Sequence, residues 1–127
     1  MASPFLLSTW SFSEPILESE YPNLSAGCSA LDAVEACVRN AEQDKSIDSV
    51  GFGGLPDRNG NCTFDAMVMT SPSSSGAVCG IERHLHPVSI ARLVMEKTNH
   101  TLLTGTLADD FADSHGMESA NILADTS

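Results

Sequence analysis

The stretch that decides the fold is Asp48–Met69, which reads DSVGFGGLPDRNGNCTFDAMVM. Two apolar runs, Val50–Phe52 and Thr63–Met69, flank a segment that is dense in glycine, proline, asparagine and aspartate. Within that segment Asn59-Gly60 is a strong hairpin-turn signal, because both residues tolerate a positive φ. The pattern therefore predicts two strands joined by a turn. The glycines also predict a close backbone approach, either to a neighbouring strand or to a ligand.

The composition restricts the class of protein. A chain of 127 residues forms one domain at most, and its 42% hydrophobic content is ordinary for a globular protein. No apolar run is long enough to span a bilayer, so we expect no membrane partner. The formal net charge is −11, and no basic cluster is present to neutralise phosphates. We therefore expect no nucleic-acid partner and interpret the acidity as a solvated surface.

The N-terminus and the cysteines bear on the cellular compartment. The first ten residues, MASPFLLSTW, lack a basic region followed by a long apolar run. This predicts no signal peptide and, by default, a cytoplasmic location. The four cysteines show no CxxC or other metal-binding spacing, so we expect free thiols in preference to disulfides.

Apolar spacing predicts three helices. The clearest is Ser29–Asp44, where Ser29 is a good N-cap and an acidic residue follows three positions later. Its predicted inward residues are Leu31, Val34, Cys37, Val38 and Ala41. Its predicted outward residues are Asp32, Glu35, Arg39 and Glu42. Pro87 opens a second helix over Val88–Thr98. The third covers Gly105–His115, ends at Gly116, and is expected to bury Leu107, Ala108, Phe111 and Ala112.

The remaining segments are shorter. Phe5–Trp10 is predicted to be a largely buried first strand, which would place Trp10 and Phe12 on the same side of an extended chain. Ser13–Ser25 is expected to form a loop or a frayed helix, and a loose tail is expected from about residue 117 to 127. Two further strands are predicted over Ala77–Ile81 and Leu102-Leu103. This order of elements indicates an α/β class in which helices cover one face of a sheet.

The residues alone do not identify a reactive centre. His84-Leu85-His86 places two imidazoles together, but no third ligand lies at metal spacing, so no metal is expected. The glycines from Gly51 to Gly54 do not match a phosphate-binding loop, and we expect no cofactor. The aspartates of the third helix are interpreted as an acidic helix face. No pairing of a nucleophile with a base stands out.

Several stretches resemble one family when they are taken in order and at their spacings. They are Leu7–Phe12, Ala26–Glu35, Asp48–Asp57, Phe64–Met69, Gly76–Val78 and Pro87–Gly105. The chain is similar to the α-subunit of the glycosylasparaginases, within the asparaginase/isoaspartyl-peptidase family of N-terminal nucleophile hydrolases. The resemblance runs from about Phe5 to about Leu123, and residues 1–127 match a single α-subunit-like portion.

The resemblance implies a four-layer α-β-β-α sandwich made from a precursor that cuts itself. The new N-terminal threonine of the β-subunit is then the nucleophile, its α-amino group is the base, and an oxyanion hole stabilises the intermediate. Such enzymes hydrolyse the amide between N-acetylglucosamine and asparagine, without a metal. The resemblance implies here a partial sandwich that lacks the β-subunit half. It assigns Trp10, Phe12 and Ser49 to the substrate pocket and no catalytic residue to this chain.

Three hypotheses follow from the absence of a matching nucleophile. Asp125-Thr126 is not followed by the glycine and strand that the family motif needs, and Thr104-Gly105-Thr106 lies at a strand end. The first hypothesis is a truncated product that is inactive alone. The second is an α-subunit that is active only with a separate β-chain, in a hetero-oligomer. The third is a non-catalytic interaction module that binds a full-length relative. In all three, the uncovered sheet face is expected to be exposed.

Overall fold

The computed structural model describes residues 3–120 and residue 122. A 3₁₀ turn at Ser11–Ser13 leads into the first helix, and a second 3₁₀ turn lies at Gly51–Gly53. The helices and strands, in chain order, are α1 (Glu14–Ser25), α2 (Ala30–Gln43), β1 (Phe64–Ser71), β2 (Ser74–Ile81), α3 (Pro87–Lys97), β3 (Leu102–Thr104) and α4 (Gly105–Ser114). The strands form one sheet in the order β1-β2-β3. The α/β class is therefore confirmed.

The hairpin of the sheet lies later in the chain than the turn signal predicts. Strands β1 and β2 are antiparallel, and the chain reverses at Pro72-Ser73. Asn59-Gly60 does form a tight loop, closed by two backbone N–H groups that donate to Oδ1 of Asp57. The residues before that loop are not a strand, because Gly51 fits against the backbone of Glu42 near the end of α2 and Gly53 fits against the backbone of Lys45 and Ile47 in the loop that follows. The prediction of a strand at Val50–Phe52 is wrong.

The N-terminal segment is also not a strand. Its residues run without regular structure over α1 and α2, and Phe5 and Leu7 are more than three-quarters exposed. A strand needs a neighbour to satisfy its backbone groups, and the sheet formed by the described residues offers none here. Ser13–Ser25, in contrast, contains the full helix α1, whose first turn carries Pro15.

Helix α2 begins and ends close to its predicted bounds. Oγ of Ser29 accepts a hydrogen bond from the backbone N–H of Asp32 at 3.0 Å, a cap that contributes about 1 kcal/mol. Arg92 of α3 joins the two helices, because its guanidinium contacts Asp32 at 2.6 Å and Glu35 at 3.3 Å. The predicted inward face is only partly correct, since Val34 is 45% exposed and Glu42 is 2% exposed.

The core lies between α3 and one face of the sheet. Its buried members are Val68, Val78, Ile81, Val88, Ile90, Ala91, Val94, Ala108 and Ala112. Helix α3 can lie this close to the sheet because Gly76 has no side chain: a Cβ there would lie 2.2 Å from the carbonyl oxygen of Ala91. In α4 the predicted burial of Leu107 is wrong, since this side chain is 77% exposed while Asp109 is 2% exposed.

The other face of the sheet is uncovered in the described structure. Met67, Met69 and Leu102 are 58%, 56% and 53% exposed, and Cys79 is exposed beside them. We call these four residues the bare face. The strand register supports this grouping, because Met67 pairs with Ala77 and Ala77 pairs in turn with Leu102. One packed face and one bare face are consistent with part of a layered sandwich.

A second, smaller cluster forms where the chain returns after α4. Ile122 packs with Cys62 and Phe64, and the N–H of Ala120 donates to the carbonyl of Arg83 at 2.7 Å. The loose tail predicted from residue 117 thus includes contacts in its described part, and residues 121 and 123–127 lie outside the described residues. Among the helices described, none is long and apolar enough to cross a membrane.

Candidate substrate-binding site

Trp10 and Phe12 lie together although the strand predicted to align them is absent. Their rings stack with centroids 6.1 Å apart and planes inclined by 17°. The 3₁₀ turn at Ser11–Ser13 positions them, because the N–H of Ser13 donates to the carbonyl of Trp10 at 3.1 Å. Trp10 is 69% exposed, so most of its surface is available to a ligand or to another part of the protein.

The stacked pair forms one wall of an apolar groove of about 250 Å³. The opposite wall comes from α1 and α2. The side chains that line the groove include Leu6, Trp10, Phe12, Ile16, Cys37, Val38 and Val50. Burial raises the pKa of the Cys37 thiol, which therefore stays protonated and a poor nucleophile near neutral pH. The groove is suited to holding an apolar or carbohydrate surface and not to covalent chemistry of its own.

Ser49 lies in the loop between α2 and the 3₁₀ turn at Gly51–Gly53 and is exposed. Its neighbour Val50 contributes to the groove, whereas Ser49 does not line it. The loop packs closely against the end of α2. Gly51 has φ +57°, and a Cβ there would lie 1.8 Å from the carbonyl oxygen of Glu42. The structure thus brings Trp10 and Phe12 together and places Ser49 beside the groove.

The backbone of Glu42 lies directly behind this loop, and its buried side chain joins the end of α2 to the start of α3, which the sequence did not predict. Its carboxylate accepts hydrogen bonds from Nδ1 of His86 at 3.0 Å and from the N–H of Val88 at 3.2 Å. The amide nitrogen of Gln43 lies 3.3 Å from Nε2 of His86, and an amide nitrogen can only donate. His86 is therefore the tautomer that carries its proton on Nδ1. Burial raises the pKa of Glu42, although these hydrogen bonds oppose the shift.

The raised pKa of Glu42 leads to a testable dependence of stability on pH. Because the folded-state pKa lies above that of the unfolded chain, the contribution of Glu42 is present below the unfolded value, about 4.3, and is lost as the pH rises through the folded value. We expect the free energy of unfolding of the wild type, minus that of Glu42→Gln, to fall as the pH rises above about 4. Urea unfolding of the wild type and of Glu42→Gln across a pH series measures this difference. A difference that grows with pH would contradict the assignment.

A second buried polar cluster surrounds His84. Its Nδ1 lies 2.6 Å from Asp109 and its Nε2 lies 2.9 Å from Asp113, and the imidazole is fully buried. Arg83 contacts Asp113 at 2.7 Å and Asp110 at 2.9 Å on the surface. The hydrogen bond from Arg83 is the main reason why the pKa of Asp113 lies below its usual range. The predicted acidic face of α4 is therefore partly an internal hydrogen-bonded cluster.

His84 lies in a loop and His86 lies at a helix terminus, as predicted. Each imidazole has its own carboxylate partners. The described residues contain no group of three or more histidine, cysteine, aspartate or glutamate side chains that could hold a metal ion. His84 and His86 stand two residues apart just before Pro87. This pair of imidazoles was the feature of the sequence that could have indicated buried carboxylates as their partners.

Comparison with known proteins assigns the chain to a family. The asparaginase family profile matches residues 8–126. The chain is 45% identical over 120 residues to an N(4)-(beta-N-acetylglucosaminyl)-L-asparaginase of Elizabethkingia miricola, covering 94% of this chain and 35% of that protein. It is 40% identical over 125 residues to the mouse protein of the same name, and the match covers 98% of this chain and 36% of the mouse protein.

A third relative has a different name. The chain is 43% identical over 98 residues to the mouse isoaspartyl peptidase/L-asparaginase, covering 76% of this chain and 30% of that protein. The chain thus spans about a third of the length of the curated relatives it matches. The match of the family profile covers nearly all of the 127 residues. This chain therefore belongs to the asparaginase family.

Proposed function

We propose that this chain forms the part of an amide hydrolase that lines the substrate groove, and that the enzyme cleaves the bond between N-acetylglucosamine and asparagine. The observation that carries the proposal is the 45% identity to the Elizabethkingia miricola relative across 94% of the chain. The exposed aromatic pair supports it, because flat apolar rings are suited to contact with a sugar or an asparaginyl side chain. Ser49 is proposed to contribute at the edge of the same pocket.

The reaction itself requires groups from outside these residues. In the proposed mechanism, a threonine hydroxyl attacks the amide carbonyl carbon and the α-amino group of that threonine accepts the proton. The C–N bond then breaks as the proton passes to the leaving amine, and water hydrolyses the resulting ester to release aspartate and free the threonine. Hydrogen-bond donors stabilise the negative charge that develops on the carbonyl oxygen. We propose that these groups come from the two-thirds of the relatives that this chain does not span. The 127 residues alone are then inactive, and the bare face packs against that remainder.

A chimera tests the proposal directly. Residues 8–126 replace the matching part of the Elizabethkingia miricola relative, and release of aspartate from N-acetylglucosaminyl-asparagine is measured. We expect turnover by the chimera and none by the 127-residue chain. Trp10→Ala in the chimera is expected to lower kcat/KM about tenfold or more, because the exposed ring is lost from the substrate side of the groove. Leu107→Ala is the matched control, since Leu107 lies within residues 8–126, is 77% exposed and does not line the groove.

The remaining outcomes separate the alternatives. An inactive chimera beside an active parent enzyme would contradict the proposed function, and so would activity of the isolated 127 residues. If the chain restores activity when it is mixed with the relative's remaining two-thirds, it acts as a separately supplied α-subunit. If it binds that fragment without restoring activity, it acts as a non-catalytic interaction module.

A second substrate class is favoured by a specific observation. The chain is 43% identical to the mouse isoaspartyl peptidase/L-asparaginase over 76% of its length. The same chimera should therefore be assayed with L-asparagine and with a β-aspartyl dipeptide. A kcat/KM for either substrate that exceeds the value for the glycosylated substrate would reassign the specificity while leaving the amide-hydrolase proposal intact.

A further inference from the structure

The side chain of Ser13 lies between the stacked aromatic pair and helix α1. Its Oγ donates to the carbonyl oxygen of Trp10, and its backbone N–H donates to the same oxygen at 3.1 Å. A carbonyl oxygen has two lone pairs, so Ser13 alone can satisfy both. The direction of this carbonyl group fixes the ψ angle of Trp10, which is 135° in an extended backbone with φ −111°. Ser13 therefore holds the backbone that carries the indole.

Ser13 also occupies the N-cap position of α1, where a serine usually has a different task. A capping serine is extended, and its oxygen accepts a hydrogen bond from a backbone N–H of the first helical turn. Ser29 does this for α2, where its Oγ accepts from the N–H of Asp32. Ser13 makes no such bond to α1, and its φ of −79° and ψ of −12° are helical. The hydroxyl of Ser13 thus contacts the backbone of Trp10 and does not cap the helix.

The position of Trp10 depends on this local contact. Among the described residues, the first regular element is the 3₁₀ turn at Ser11–Ser13, so no helix or strand fixes the backbone of residues 3–10. The indole is 69% exposed, so packing around it does little to hold it. Its stacking on Phe12 and its place in the groove wall both depend on the direction in which its side chain leaves the backbone. A change at the carbonyl of Trp10 therefore alters the groove.

We propose that Ser13 is a positioning residue whose hydroxyl, through the carbonyl of Trp10, holds the indole against Phe12 and so shapes the substrate side of the groove. Ser13 acts through Trp10 and needs no contact of its own with the substrate. The kinetic consequence of this role rests on the proposed hydrolase function. The orientation of the indole does not, because it concerns only contacts within this chain.

The orientation of the indole can be measured directly, because Trp10 is the single tryptophan of the 127-residue chain. Near-ultraviolet circular dichroism at the long-wavelength edge, where only indole absorbs, reports how firmly the ring is held. Ser13→Ala removes the donor, so this indole band should fall about twofold or more, the effect of losing one hydrogen bond. Ser13→Thr keeps a hydroxyl and should keep the band.

Ser11→Ala is the matched control for the optical test. Ser11 is an exposed serine of the same turn, and it contacts α1 through its backbone carbonyl, which accepts from the N–H of Glu14. Its substitution should leave the indole band unchanged. An unchanged band in Ser13→Ala would overturn the proposal, and so would equal losses in Ser13→Ala and Ser11→Ala.

Ser13→Asp separates positioning of the indole from capping of the helix. Aspartate is a strong N-cap, but an ionised carboxylate has no hydrogen to donate to the carbonyl of Trp10. We expect Ser13→Asp to lose the indole band as Ser13→Ala does, while its far-ultraviolet spectrum retains the helices. If Ser13→Asp keeps the band of the wild type, Ser13 serves α1 and the proposal is wrong.

A double-mutant cycle in the chimera gives the kinetic test. Ser13→Ala is expected to lower kcat/KM for N-acetylglucosaminyl-asparagine about two- to tenfold. Because Ser13 acts through the indole, Ser13→Ala should have no further effect in a chimera that already carries Trp10→Ala. Equal losses in both backgrounds would overturn the proposal. A chimera that is inactive without any substitution contradicts the proposed function instead, and the indole band then decides the role of Ser13.

Discussion

Asp109→Ala is expected to lower the free energy of unfolding by about 3 kcal/mol or more, because it leaves three hydrogen-bond donors without their shared acceptor, at about 1–3 kcal/mol for each buried one. Asp109 is 2% exposed, and His84 opposite it is fully buried. The substitution leaves the imidazole without its 2.6 Å partner and leaves the N–H groups of Glu82 and Arg83 without the acceptor that they share. These donors lie at the entry to α3, where neither strand nor helix offers a replacement.

The neighbouring residue gives a matched control for this substitution. Asp110 has the same charge, belongs to the same helix, and contacts only Arg83, with 59% of its side chain exposed. Exposed ion pairs contribute about 0–1 kcal/mol, so Asp110→Ala should change stability by that amount or less. Urea unfolding of both variants, followed by circular dichroism, makes the comparison. If the two losses are equal, the cluster contributes through its net charge and not through burial.

Gly76→Val is expected to cost about 3 kcal/mol or more, because it overfills the contact between β2 and α3. A Cβ at this position would lie 2.2 Å from the carbonyl oxygen of Ala91 and 2.5 Å from the backbone nitrogen of Met95. Both atoms belong to the backbone of α3, so no side-chain rotation can relieve the contact. The helix must move away from the sheet and lose contacts with Val68 and Val78.

Ala77→Val is the matched control for Gly76→Val. Ala77 is the next residue of the same strand and points to the bare face, where it pairs with Met67 and Leu102. Valine is favoured in strands, so this change should alter stability by about 0.5 kcal/mol or less. Thermal unfolding of the two variants under one condition measures both effects. A Gly76→Val variant as stable as the Ala77→Val variant would show that α3 can shift without cost.

The sequence predicted the elements whose signals are local. Ser29 caps α2, Pro87 begins α3, and periodic apolar residues identify the buried side of α3, so these helices were predicted within a few residues. The strand at Leu102-Leu103 was also correct. In each case neighbouring residues determine the conformation, and no distant contact is needed to choose it. The resemblance to a family likewise depended on contiguous blocks, and the family profile confirmed it.

The errors concern features that only tertiary packing determines. The run Phe5–Trp10 has the composition of a strand, but no described strand lies beside it. The helical pattern predicts that Glu42 and Asp109 lie on the surface. It cannot show that an imidazole faces each of these carboxylates. The glycines of the Gly51–Gly53 segment allow it to pack against the end of α2 and the loop that follows α2, and they do not turn a hairpin. Burial of a charged residue depends on a distant partner.

Two of the residues that line the candidate groove, Trp10 and Phe12, are also assigned to the substrate pocket by the family resemblance, and that role stays a prediction. The structure shows how a 3₁₀ turn stacks these two rings. Ser49 lies next to the groove, and its role stays a prediction. The loop that carries it packs against the backbone of Glu42, a contact that no local pattern indicates. The polar residues behind the groove were therefore found only from the structure.

The mixed pairing of β2 determines the order in which the sheet can assemble. Its antiparallel partner β1 is joined to it by a two-residue turn, and hairpins of this kind form within about 1–10 μs. Its parallel partner β3 pairs at only three positions and is reached only after the chain has passed through α3. Closing that longer connection costs more entropy before any contact is gained. We therefore expect the hairpin and α3 to form first, and β3 with α4 to dock afterwards onto a surface that already exists.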